Sequence, residues 1–147
     1  MSANRYFDAS YERLFGEGVG IDQRADQFFS KFYTHFLADP EVAELFSGTD
    51  MAHQAGMLRS SFFHLVAFYA SHKPSAELDR IARLHDRLGI LHVLYDTWLD
   101  ALIQTVREED ADCDELTEMA WRLAMTPGLT YMRLVGHLGA GHSRTQD

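Results

Sequence analysis

The stretch from Leu78 to Val106 constrains the chain more than any other, because its apolar residues repeat at the pitch of an α-helix rather than alternating. Leu78, Ile81, Ala82 and His85 fall at i, i+3, i+4 and i+7, which puts His85 on the apolar stripe of a short helix. Gly89 breaks that helix. A second stripe follows at once: Leu91, Leu94, Tyr95, Trp98, Leu102 and Val106. A histidine on a buried face, then a tight turn and a long amphipathic helix, can offer imidazole to something held in the core. It can equally be a core histidine bonded to a backbone carbonyl.

The same period runs through the rest. Tyr6 to Phe15 forms a short amphipathic piece closed by the glycine-rich residues 16–20. Asp22 can cap a second helix, whose stripe Ala25, Phe28, Phe29, Phe32, Tyr33, Phe36 and Leu37 ends at Asp39-Pro40. Pro40 to Phe46 reads as a single turn with proline in the first position. Thr49 or Asp50 starts the next helix, on which Met51, Gln54, Leu58, Ser61, Phe62, Leu65 and Tyr69 share one face. Helices from Leu91 to Arg107 and from Asp114 to Leu138 complete the chain, separated by an acidic loop at Glu108 to Glu115. Thr126-Pro127-Gly128 is expected to kink or restart the last helix. Residues 139–147 are expected to be a flexible tail. The expectation is an all-α fold of about seven or eight helices in one domain spanning 1–147.

Composition then removes function classes. A net charge of −9 disfavours nucleic acid and anionic membrane as partners, since both need a basic face. A single cysteine, Cys113, allows no internal disulfide and no cysteine zinc site, and its acidic neighbours disfavour a thiolate. With no leader or long apolar run, a soluble cytoplasmic protein is expected. No G-x-S-x-G, H-E-x-x-H or Glu-x-x-His pattern occurs among eight histidines, so nucleophilic, zinc-protease and di-iron chemistry lack their motifs. One buried imidazole is too few ligands for a bare ion. It suffices for a planar iron macrocycle, which needs one axial histidine.

Three segments resemble the globin family, in order and spacing from about residue 10 to residue 135. His85, Leu88, Ile90 and Tyr95 (H-x-x-L-x-I-x-x-x-x-Y) resemble the proximal region of bacterial single-domain globins and flavohaemoglobins. Phe32 to Phe46 resembles the B and C helices, and Thr49 to Leu58 the start of the distal E helix, with some truncated-globin character. The resemblance implies haem b held by His85 as iron ligand, with Tyr33 as distal tyrosine and Phe46 against the macrocycle. Gln54 would be the distal glutamine, preferred to His53 because it shares the row of Leu58, Phe62 and Leu65. Phe32, Leu58, Phe62, Leu84, Ile90, Tyr95 and Trp98 are the further residues expected at the cofactor.

The same resemblance implies O2, NO or CO as ligands, and a polar Tyr33, Gln54 and Trp98 pocket suited to gas capture, detoxification or sensing rather than O2 delivery. Two departures qualify it. The sequence holds no flavin reductase segment, so a separate reductase would be the partner. The last helix offers TYMRLVGH, with no acid to complete a tyrosine–glutamate relay to His85. A sensor that signals as a homodimer through its last two helices is the alternative within haem chemistry. A haem-free helical interaction module, with His85 purely structural, is the alternative outside it.

Overall fold

Seven helices and no strand make up the described residues of the computed structural model, which are 2–16 and 21–146. They are α1 (Ser2–Phe15), α2 (Ile21–Leu37), α3 (Pro40–Leu45), α4 (Met51–Ser71), α5 (Ala76–Arg87), α6 (Val93–Glu109) and α7 (Glu115–Gln146). Residues 17–20 of the glycine-rich link and the side chains of Asp22 and Met51 lie outside the described residues.

Local chemistry sets most helix starts. Asp39 accepts from the backbone N–H of Glu41 (2.9 Å) and Val42 (3.3 Å), with Pro40 in the first turn, where its missing N–H costs nothing. Of the two candidates before α4, Asp50 is the cap, accepting from Ala52 and His53 N–H; Thr49 instead donates to the Phe46 carbonyl. Ser75 caps α5 through Leu78 N–H, and Asp114 accepts from Thr117 N–H at 2.9 Å at the start of α7.

The long α7 packs on α1, α4, α5 and α6, and α2 packs on α6. At one end an aromatic core forms. Phe15 meets Phe28 (5.0 Å between centroids) and Phe62 (5.7 Å), Trp121 stacks on Phe62 (6.1 Å), and Phe7 meets Trp121 edge-on (4.8 Å). Offset and edge-on pairs of this kind add to what burial of the rings already supplies.

α7 also has two close approaches. A Cβ at Gly128 would lie 2.4 Å from Leu65 Cδ2 of α4, and one at Gly136 would lie 3.2 Å from Asp86 Cβ and 3.4 Å from the Ala82 carbonyl of α5. Glycine at these positions lets α7 seat against both helices.

Three expectations need correction. Leu91 precedes α6 and is 58% exposed, so the buried stripe begins at Leu94. α7 crosses Pro127 as one helix: it buries Trp121, Ala124 and Met125 before the proline and Leu129 and Met132 after it, and packing on both sides offsets the lost ladder bond. α7 runs on to Gln146 rather than ending near Leu138, since glycine weakens a helix by about 1 kcal/mol without forbidding it. The acidic loop is tied to α1. The Asp110 side chain is fully buried and holds Arg13 Nε (2.7 Å) and Nη2 (2.8 Å), while Ser10 Oγ donates to it (2.5 Å) and accepts from Trp121 Nε1 (2.9 Å).

Candidate functional site

The last turn of α5 positions the candidate ligand. Gly89 adopts φ +72°, a left-handed conformation that costs other residues a Cβ clash. It lets Gly89 N–H bond the Asp86 carbonyl (3.0 Å) and Ile90 N–H bond the His85 carbonyl (3.1 Å). This pair of bonds is a Schellman motif, in which two otherwise orphaned carbonyls of the helix end are satisfied. His85 therefore sits in the final turn, with Leu78, Ile81 and Ala82 buried along the stripe behind it.

Its imidazole lines a cavity of about 410 Å³ between α4, α5 and α6, with Leu129 and Met132 of α7 closing it. Eight of the expected residues are in that wall: Phe46, Gln54, Leu58, Leu84, His85, Ile90, Tyr95 and Trp98. The polar groups among the hydrocarbon are few: Thr49, Gln54, Ser61, His85, Tyr95 and the Trp98 indole. A mostly apolar hollow with a handful of convergent polar groups is the usual form of a cofactor site. A shallower hollow of about 340 Å³ beside Glu41, Glu44 and Leu91 shares Leu45, Ile90 and Leu94 with this wall but contains no imidazole, so the chemistry lies in the deeper cavity.

Three expected residues are not in the wall. Phe32 is one layer back, stacked on Phe36 (5.8 Å) and edge-on to Trp98 (5.5 Å). Phe62 turns into the aromatic core with Phe15 and Trp121, because a one-residue step along α4 from Ser61 rotates it to another face. Tyr33 is buried with its ring 6.5 Å from that of Phe46, and its hydroxyl has no hydrogen-bond partner. Burial pushes that hydroxyl up to about 12, so it stays a donor across physiological pH. Gln54 lines the cavity, while His53, one residue earlier, is exposed.

Of the residues not anticipated, Ser61 and Leu65 lie on the same row of α4 as Gln54 and Leu58, and that row was the available signal. Met57, Leu129 and Met132 had none, since their contribution depends on how α4 and α7 cross.

His85 is depressed below its ordinary pKa by burial, which keeps the imidazole neutral with a lone pair to give. Its Nδ1 is buried without a partner. Tyr95 meets it edge-on with centroids 6.0 Å apart. Over the Tyr95 ring, at 5.2 Å, stands the guanidinium of Arg133 rather than an acid. Among the described residues no three His, Cys, Asp or Glu side chains converge on a common point, so a metal in this cavity would find one imidazole and need its other donors from a larger group. A single neutral imidazole and mostly apolar walls fit a planar iron macrocycle, which needs one ligand from the protein.

No protein-family model matches the chain, and a comparison with curated proteins finds no match. Among solved structures it is similar to a protein of Pseudomonas aeruginosa, described as structurally highly homologous to a human haemoglobin. The two are 35% identical, with a TM-score of 0.74, over 90% of this chain and 97% of that one. Among the described residues no helix is long and apolar enough to cross a membrane.

Proposed function

From the premise that this chain belongs to the family of that haemoglobin-like protein and has the globin fold, we propose that it is a haem-binding globin with His85 as the iron ligand. Haem b, when bound, supplies an iron whose four equatorial positions are filled, leaving one for the protein and one for a diatomic gas such as O2, NO or CO. The observation that carries the reading is a neutral imidazole in the wall of an apolar cavity of about 410 Å³, held in the last turn of α5.

The chain's own residues do the rest. Phe46, Leu58, Leu84 and Ile90 exclude water from the ring. Gln54 and Trp98 line the cavity, and the partnerless Tyr33 hydroxyl lies buried beside Phe46; in this reading they would donate to a bound gas, and a hydrogen bond to a partly charged acceptor contributes roughly 1.5–3 kcal/mol. Two such donors slow gas release by about 100-fold or more. That favours gas capture, detoxification of NO or other reactive species, or sensing over O2 delivery. Electrons for the iron would come from a reductase.

Haem titration of wild type and His85→Ala tests the reading. The wild type should develop a Soret band with a five- or six-coordinate histidine spectrum, and the variant should bind haem weakly with an altered spectrum. An unaltered spectrum in His85→Ala, or no Soret band in the wild type after haem is supplied, refutes it.

A further inference from the structure

Behind His85 stand two side chains that the reading above does not use. The Arg133 guanidinium lies over the face of Tyr95 (5.2 Å to the centroid), and the Tyr95 ring meets the His85 ring edge-on (6.0 Å between centroids). Arg133 is held there by Nη2, which donates to the His92 carbonyl (3.0 Å) and to Asp96 Oδ1 (2.8 Å); its Nε is buried and has no partner. Both acceptors belong to the start of α6, so the guanidinium is fastened to the element that carries Tyr95. Among the described residues His85 Nδ1 has no partner either. No carboxylate of these residues bonds the imidazole; the Arg133 cation stands over the Tyr95 ring, and the Asp86 carboxylate also acts on Tyr95.

Resting on haem ligation by His85, we propose that Arg133 is a proximal positioning residue that sets the reduction potential of the bound iron. Its charge reaches the iron through the Tyr95 ring. The physical argument has two parts of one sign. A fixed cation beside the site disfavours ferric iron, which carries one more positive charge than ferrous iron. An imidazole whose Nδ1 has no acceptor gains no imidazolate character, so it donates less charge to the metal than one bonded to a carboxylate. Both effects favour the ferrous form, which is the form that captures O2 and CO. Asp96 and Asp86 partly offset the cation; Asp96 is 67% exposed and well solvated, while Arg133, at 29% exposed, is the charge stacked on the ring.

The test is the midpoint potential of the haem-loaded full chain, with Fe–His stretching in the ferrous protein as a second readout. Arg133→Gln should raise the ferric-to-ferrous ratio at fixed potential by about tenfold, which is about 59 mV for a one-electron couple. Arg133→Glu should move it further in the same direction and raise the Fe–His frequency. Arg133→Lys keeps the charge but loses the planar fork, and should stay near the wild-type potential. Equal shifts in Arg133→Lys and Arg133→Gln would show that the fork, not the charge, matters, and would overturn the proposal. So would an unmoved potential in folded Arg133→Gln. If Arg133→Glu does not fold, the Lys and Gln pair still decides. Failure of haem ligation itself is read separately, from the Soret band of the wild type and of His85→Ala.

Discussion

Replacing Arg13 by alanine should be among the most destabilising single changes on the surface of this molecule, although Arg13 lies far from the cavity. Its guanidinium, 34% exposed, makes two bonds to Asp110, whose side chain is fully buried. Removing one partner of a buried ion pair strands the other charge, at a cost of about 3–5 kcal/mol. The bonds from Ser10 Oγ and from Asp112 N–H to Asp110 survive the substitution, which places the expected loss at the lower end, about 3 kcal/mol. For a chain of this length that is about 6–12 °C in Tm.

The pH dependence carries its own signature. Burial alone would raise the Asp110 pKa, but the Arg13 and Ser10 side chains and the Asp112 N–H together hold it below the ordinary carboxylate value. A depressed folded-state pKa means that the pair's contribution is complete above the unfolded value of about 4 and disappears as pH falls through the folded value. The gap between wild type and Arg13→Ala should therefore be flat from pH 5 to 7 and close in acid. Urea unfolding followed by far-ultraviolet circular dichroism, on haem-loaded and haem-free protein, measures it. A loss below about 1 kcal/mol, or a gap that persists undiminished at pH 3, refutes the reasoning.

Two further substitutions address the site. Tyr33→Phe should raise the O2 dissociation rate by about 10-fold or more, and Gln54→Leu by a smaller factor, in stopped-flow displacement by CO. Unchanged rates in Tyr33→Phe would remove that hydroxyl from the gas position. Gly89→Ala should cost about 1–2 kcal/mol in urea unfolding, because φ +72° forces its Cβ against the following carbonyl. It should also speed haem loss by loosening the turn that fixes His85; a neutral effect on both would show that the turn relaxes without strain.

The parts of the fold legible in the sequence were those written in local chemistry. Asp39-Pro40 and Gly89 each end or begin a helix for a reason contained within four residues, and the structure puts boundaries at both. The burial of Leu78, Ile81 and Ala82 beside His85 followed from period alone. What the sequence hid depends on helices meeting. Phe62 has the same spacing from Leu58 as a wall residue would, yet it faces Trp121 because α1 and α7 supply aromatic partners on that side. Nothing near Asp110 in the sequence marks it out from the other acids of its loop; its partners Ser10 and Arg13 come from α1, about a hundred residues away. Pro127 carried a valid local warning that long-range burial of α7 outweighed. Leu129 and Met132 entered the cavity wall unannounced for the same reason.

The two glycine approaches of α7 have a mechanical consequence. Gly128 sets how near α4 comes, Gly136 sets how near α5 comes, and the two are joined by a little over two turns of continuous helix. The opposite sides of the hollow are thus gauged from one rigid ruler, and neither can retreat alone without leaving a void against it. Leu45 and Leu88, both exposed and both in the lining of the hollow, stand at its rim.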